Sequence, residues 1–359
     1  MKINAEKFKS MVSKAMKAVS NNKMIPITQL MNISVSDNKL TLITTDATNY
    51  LYVIDDIEAD DFNVTVSADI FGKLVSKMTS DNITLTLDNN TLEVTGNGAY
   101  TIELPLDENG NIIEYPNPYA AIKESDYTES QLSLSMIKLI HDTVKPSLAT
   151  SLELPVITNY YIGDKVIATD RYKIASIDSQ LVDSPIVVSS DYLDLLDVIT
   201  TDSIKTLINK DSIICIADNI IVFGKFTYSA DAYPCDSIND LLDTDIDNVC
   251  HVNKIELLNL LDRMSLFTND ITSRSTPITL DFNDNGITIS NKSGKSNETV
   301  LYIDNKDHKS FRCAVNIELL VSQVKAYAGD SIEIHYGHDN LIKFVDGSIT
   351  QIIALYSEE

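Results

Sequence analysis

The chain has 359 residues, 44% hydrophobic and 22% charged, with a net charge of −24 at pH 7. That length predicts two or three domains, and no apolar run reaches the ~18 residues of a membrane span. The four cysteines (215, 235, 250, 313) form no Cys-x-x-Cys pair and Met1-Lys2 opens a polar, lysine-rich segment, so the reading is a cytoplasmic protein with reduced thiols and no signal peptide.

Net acidity alone argues against nucleic acid, because lysine and arginine supply phosphate affinity. The distribution argues otherwise. Residues 1–23 hold six lysines (2, 7, 9, 14, 17, 23) and one acid, Glu6. Residues 5–20 predict an amphipathic helix with Phe8, Met11, Val12, Ala15 and Val19 on one face and Lys7, Lys14 and Lys17 opposite. A hairpin follows, opening at Ile25-Pro26, turning at Asp37-Asn38 and ending in Thr44-Thr45-Asp46. Ser67 is the expected N-cap of a second helix with Ile70, Leu74 and Met78 inward and Lys73 and Lys77 beside them. Alternating segments at 83–87, 91–95 and 100–104 predict strands, and Tyr115-Pro116-Asn117 closes the unit.

The same order then repeats. A helix over 133–145 buries Met136, Ile137, Ile140 and Val144, with Lys138 and Lys145 on the far side. A hairpin opens at Leu154-Pro155 and leads to Ala168-Thr169-Asp170. A helix over 190–200 carries Asp191, Asp194 and Asp197 outward, and Tyr233-Pro234 ends the second unit. The third unit has helices over 253–267 and 316–328 and a hairpin opening at Thr276-Pro277. Three copies of about 120 residues, each helix–strands–helix–strands with six matching helices, make the expected fold class α+β with three similar domains at 1–124, 125–247 and 248–359.

These markers, taken together and in order, resemble the bacterial sliding clamp family, the beta subunit of DNA polymerase III. The most specific is Ala168-Thr169-Asp170-Arg171-Tyr172-Lys173-Ile174-Ala175, where the family has Ala-Thr-Asp-Gly-His-Arg-Leu-Ala. The changed middle, and a C-terminus of Leu355-Tyr-Ser-Glu-Glu359 in place of a Met-Pro-Met-Arg-Leu-like tail, fit a divergent member whose pocket prefers different peptides, and richness in Asn, Asp and Ile leaves a low-GC bacterium, its phage or a plasmid open as the source. The resemblance implies a head-to-tail homodimer ring with helices lining the hole, which encircles double-stranded DNA without sequence preference and tethers the replicative polymerase. It implies no catalysis and no cofactor. Its partners would be the DNA polymerase catalytic subunit, the clamp loader, repair polymerases and mismatch-repair proteins, and it would be cytoplasmic and nucleoid-associated.

Carried onto this sequence, the DNA-binding residues are Lys7, Lys14, Lys17, Lys23, Lys73, Lys77, Lys138 and Lys145. One wall of a partner-peptide pocket is Val156, Thr169, Arg171, Tyr172, Lys173, Ile174 and Pro234, and the other is Ile353, Ala354, Leu355 and Tyr356. The dimer interface pairs Tyr100, Ile102 and Leu104 with Leu266 and Phe267. The acidic helix near 190–200 and the altered pocket leave a second reading, a clamp-like protein that binds replication partners without loading on DNA, as a decoy or regulator. An enzyme on a repeated scaffold is a third reading, but no P-loop, nucleophile elbow or dinucleotide fingerprint is present. Asp243, Asp245 and Asp247 imitate a calcium loop, yet its required glycine and glutamate positions are Asn248 and Lys254, so this is an acidic linker. His335 and His338 are too few for a metal site.

Overall fold

The computed structural model describes residues 1–20, 22–201, 203–268, 277–305 and 309–356. The chain forms two compact units, Met1–Leu134 with Asp191–Thr227, and Ser135–Ser190 with Tyr228–Glu359.

The first unit contains two antiparallel sheets. In the four-stranded one, the order is Lys2–Asn4, Asn82–Asp88, Thr91–Thr95, Ala99–Glu103, which leaves Ala99–Glu103 at an edge. In the eight-stranded one, Phe62–Ser67, Leu30–Ser36, Lys39–Thr45 and Asn49–Asp56 continue into Ile220–Lys225, Ser212–Ala217, Lys205–Ile208 and Thr128–Ser130. The join is a regular ladder, with Val53 opposite Ile220 and Asn49 opposite Gly224. Helix α1 (Ala5–Ala15) starts where Asn4 accepts the Lys7 N–H at 3.1 Å, a side-chain cap for an otherwise orphan donor. Its buried Phe8 meets Phe71 of α2 (Ala68–Ser76) edge to face, with ring centroids 5.9 Å apart. Ser67 stands at the N-cap of α2, as expected, but its side chain makes no capping bond.

The second unit contains α3 (Leu134–Thr143, which begins one residue earlier), α5 (Cys235–Leu242), α6 (Lys254–Ser265) and α7 (Ile317–Ala326); α4 (Ser190–Leu195) lies in the first unit from Asp191 onward. Its twelve-stranded sheet passes from Lys173–Asp178 to Ile349–Ala354 and on through Leu341–Asp346, Ser331–Tyr336, Asn248–Asn253 and Asn297–Asn305. Phe282 and Tyr336 stack at 4.2 Å in the core under α6 and α7. Asn253 and Asn316 cap these helices as Asn4 caps α1, so three strands end in an asparagine that starts a helix.

Several expectations shift. The prolines at 26 and 155 do not begin strands; each opens a 3-10 turn, Pro26–Gln29 and Pro155–Thr158, and the strand starts after it. A proline at the first helical position loses no bond, because that N–H has no partner in any case. Pro277 does start a strand, and its predecessor Thr276 lies outside the described residues. Three expected helices end early in 3-10 turns (16–18, 145–147, 196–198). The α5 helix is not among the six expected.

The recurrent Thr-Asp pair has a local cause. Thr45 Oγ1 bonds the Asn49 carbonyl at 2.6 Å and accepts the Ala47 N–H at 3.0 Å. Asp46 accepts the N–H groups of Thr48 and Asn49 at 2.8 and 2.7 Å. At the second copy, Thr169 bonds the Lys173 carbonyl and the Arg171 N–H, and Asp170 takes the N–H groups of Tyr172 and Lys173. The two side chains hold the backbone between the strands, and the residue after the aspartate is driven to positive φ: 90° at Ala47 and 79° at Arg171. Asp46→Ala leaves these half-buried donors unpaired and is expected to cost about 2 kcal/mol, read as a lowered denaturation midpoint. The Tyr-Pro pairs also act alike: Tyr115 donates to the Leu30 carbonyl and Tyr233 to the Ile167 carbonyl, each tying the end of a repeat to its hairpin.

Candidate nucleic-acid face and docking groove

The Thr169-Asp170 turn positions three consecutive side chains very differently. Lys173 is buried. Its ammonium donates to the Pro146 carbonyl and to Ser322 Oγ (3.2 Å), with Asp170 at 3.6 Å. Its backbone pairs with Ile353, so it anchors the seam between the Lys173–Asp178 and Ile349–Ala354 strands. Tyr172 is 59% exposed, and its carbonyl accepts the Ala354 N–H at 2.9 Å. Arg171 is exposed and reaches Glu153 at 2.6 Å. A left-handed backbone costs an L-residue about 1–2 kcal/mol, whereas an ion pair as open as this one contributes about 0.2–1 kcal/mol.

Two cavities meet at Tyr172. One, of about 320 Å³, is lined by Tyr172, Asn316, Leu319, Ala354, Leu355 and Tyr356 and is mostly apolar. The other, of about 190 Å³, includes Glu153, Leu154, Asp170, Arg171 and Tyr172 in its wall. Of the expected groove residues, Arg171, Tyr172, Ala354, Leu355 and Tyr356 line these cavities. Val156, Thr169, Lys173, Ile174 and Ile353 are buried behind them and form the support. Pro234 is exposed and precedes α5. Asn316, Leu319 and Glu153 were not foreseen; the first two stand at the start of α7, where only the tertiary fold brings them to the strand end.

The expected phosphate contacts separate by environment. Lys17, Lys23, Lys77 and Lys138 are exposed and Lys14 is half-buried; none of these five forms an ion pair with a described residue. Lys7 pairs with Asp55 at 2.9 Å and Lys73 with Asp69 at 2.7 Å, so part of their charge is already answered. Lys145 is half-buried in the turn after α3. Asp191 and Asp197 are exposed on α4 and the turn after it, and Asp194 is half-buried.

Of the residues expected at a subunit contact, Ile102 and Leu104 are buried in the core, while Tyr100, Leu266 and Phe267 are exposed. Leu301 and Ile303, which were not expected there, are also exposed. They lie on Asn297–Asn305, whose residues 297–301 pair with Gly286–Asn291 on one side; on the other, among the described residues, pairing with Asn248–Asn253 covers 302–305 alone. The same strand is tied to α6 by Arg263 and Glu298 (Nε to Oε2 3.0 Å), near the turn bearing Leu266 and Phe267.

The cysteines are free and three have thiols pushed up by burial, Cys215 and Cys235 to about 11, which makes them poor nucleophiles. His335 Nε2 meets Glu333 at 2.7 Å, and His251 lies between Asp304 and Glu333. Among the described residues no helix is long and apolar enough to cross a membrane.

Comparison with solved structures places this architecture in one class: the chain has the three-domain fold of the bacterial DNA polymerase sliding clamps. The Bacillus subtilis DNA polymerase sliding clamp superposes with a TM-score of 0.86 at 18% identity, over 100% of this chain and 99% of that one. The beta subunit from DNA polymerase of Streptococcus pyogenes gives 0.87 at 18%, over 99% of each. The DNA polymerase sliding clamp of Pseudomonas aeruginosa gives 0.82 at 14%, over 100% and 99%. By sequence, residues 1–117 match the family "DNA polymerase III beta subunit, N-terminal domain". No curated protein sequence matches the chain.

Proposed function

We propose that the protein is a sliding clamp, which encircles duplex DNA and tethers the replicative polymerase for processive synthesis. The observation that carries this reading is the likeness of fold over the full length of both chains, joined to the sequence match of the first 117 residues. Each chain supplies three domains, at 1–124, 125–247 and 248–359, and two chains close head to tail. Closure sets the edge strand Ala99–Glu103, with Tyr100, against Leu266, Phe267 and the open flank of 297–301, where Leu301 is exposed. An unpaired strand edge is a ready template for a partner strand.

The residues that meet phosphates are Lys7, Lys14, Lys17, Lys23, Lys73 and Lys77 of the first unit and Lys138 and Lys145 of the second. Contacts to backbone charge carry no sequence information, so the ring slides. The excess acid elsewhere keeps DNA off other surfaces. The protein catalyses nothing; the polymerase catalytic subunit, the clamp loader, repair polymerases and mismatch-repair proteins dock peptide segments at the groove around Tyr172. It works in the cytoplasm, on the nucleoid.

With a bacterial clamp loader and ATP, the protein is expected to remain on a nicked circular plasmid through gel filtration and to be lost when the plasmid is linearised. A clamp-like partner binder that never loads stays on neither form, and equal retention on both forms would refute topological tethering.

A further inference from the structure

We propose that Arg171 makes the groove select peptides with an acidic side chain close to a bulky apolar one, and that Glu153 holds the acid's place until such a peptide arrives. This rests on the reading of the groove as a docking site and adds the chemistry of its occupant.

The backbone at residue 171 is fixed by the turn, whatever side chain stands there, since Ala47 takes the same left-handed conformation in the first copy. An arginine at that place meets the conformational cost that a glycine would avoid. Its one observed compensation is an exposed ion pair with Glu153 (side chains 52% and 70% exposed), which does not offset that cost. The guanidinium is therefore better explained by a ligand than by stability.

The other charges near it are committed. Asp170 accepts the N–H groups of Tyr172 and Lys173. Lys173 is buried, with its ammonium on the Pro146 carbonyl and Ser322. Among the residues that line the two cavities, Arg171 is thus the one cation, and it lines the smaller. Tyr172 borders both cavities. An extended peptide crossing Tyr172 places an apolar side chain against Leu319, Leu355 and Tyr356 and an acid at Arg171. The carboxylate exchanges with that of Glu153, so the planar guanidinium keeps a matched acceptor throughout. Because the pair is open to solvent and the whole chain repels acids, the preference is short-ranged and weakens with salt.

The test is fluorescence anisotropy of labelled peptides on the intact protein. Two probes carry a Leu-Phe pair with an acid one residue removed on either side, Asp-Ala-Leu-Phe and Leu-Phe-Ala-Asp between Gly-Ser flanks; their controls carry Asn for Asp. One acidic probe is expected to bind about tenfold tighter than its control. Arg171→Gly, which relieves backbone strain and so does not threaten folding, removes the difference between the Asp and Asn probes. Glu153→Gln tightens the acidic probe several-fold, since its competitor is gone. Equal binding of Asp and Asn probes in both placements, or an acid preference that survives Arg171→Gly, overturns the selectivity alone. Absence of binding by all four peptides overturns the docking groove as well.

Discussion

Replacing Lys14, Lys17 and Lys23 together by alanine is expected to flatten the salt dependence of DNA binding by about 2–3 in the slope of log affinity against log salt, at about 0.9 for each phosphate no longer neutralised. Between roughly 50 and 200 mM salt the intact protein should then lose about 40-fold more affinity than the triple variant. The choice of residues follows from what surrounds them. These three have no carboxylate partner among the described residues, so each can release a counterion in full when it meets a phosphate. Lys7 and Lys73 already share their charge with Asp55 and Asp69, and a Lys7→Ala, Lys73→Ala double variant should change the slope by less than about 0.9 per residue. The proposed contacts reach phosphates alone, so the loss should be the same on any duplex sequence. Salt titrations of a fluorescent duplex decide it: a triple variant with an unchanged slope means that the phosphates lie on another face. The variants remove only solvated or half-buried ammonium groups, so their melting temperatures should stay within a few degrees of the parent.

Much of the fold could be read from periodicity, and the part that could not has definite causes. Apolar spacing located the six repeated helices, as with Phe8, Met11, Val12 and Ala15 in α1, but in α2 it chose the wrong stripe: Phe71 and Val75 are buried, whereas Ile70, expected inward, is exposed and Leu74 half-buried. Their ends were overshot where the last turn tightens to 3-10, a choice made by tertiary packing and invisible in local spacing. The α5 helix escaped because its eight residues carry only Ile238 and Leu242 as buried positions in an acidic stretch. The Thr-Asp repeat was visible as a pattern, but its reason, a hydrogen-bonded turn with a left-handed residue after the aspartate, belongs to three dimensions.

The groove shows the same division. Arg171, Tyr172 and the final strand stood out as departures from a family pattern. That Lys173 is buried was not legible, because its partners are a carbonyl 27 residues away and a hydroxyl 149 away. Tyr100, Ile102 and Leu104 recur at every second position, but Ile102 and Leu104 are core and Tyr100 alone is exposed. Opposite Val94 at the corner of the sheet, Tyr100 has left the core that covers Ile102 and Leu104. Leu301 and Ile303 carried a signal that was missed: two exposed apolar residues alternating with Val300 and Tyr302 on a strand with one flank half open.

Gly286→Ala should be among the most damaging single changes, at about 3 kcal/mol or more. Gly286 sits opposite Leu301 in the ladder between Gly286–Asn291 and Asn297–Asn305. A methyl group on it would lie 2.2 Å from the Val300 carbonyl oxygen and 3.1 Å from the Leu301 Cα. Both are backbone atoms, so no rotamer change makes room; the strands must part, and the pairs flanking Val300 separate with them. The contrast with Gly224 is informative. A methyl there meets mainly the Tyr192 ring, a side chain that can turn, although it is fully buried. In Gly286→Ala the displaced segment is also the one with Leu301 on its open flank, so stability and the proposed subunit contact should fail together. Urea unfolding followed by tyrosine fluorescence or circular dichroism measures the first, and sedimentation over a concentration series measures the second. An alanine variant that unfolds at the parental urea concentration would show that the register pairing Gly286 with Leu301 is wrong. A destabilised variant that still dimerises at the parental concentration would preserve the register and move the subunit contact away from residues 297–301.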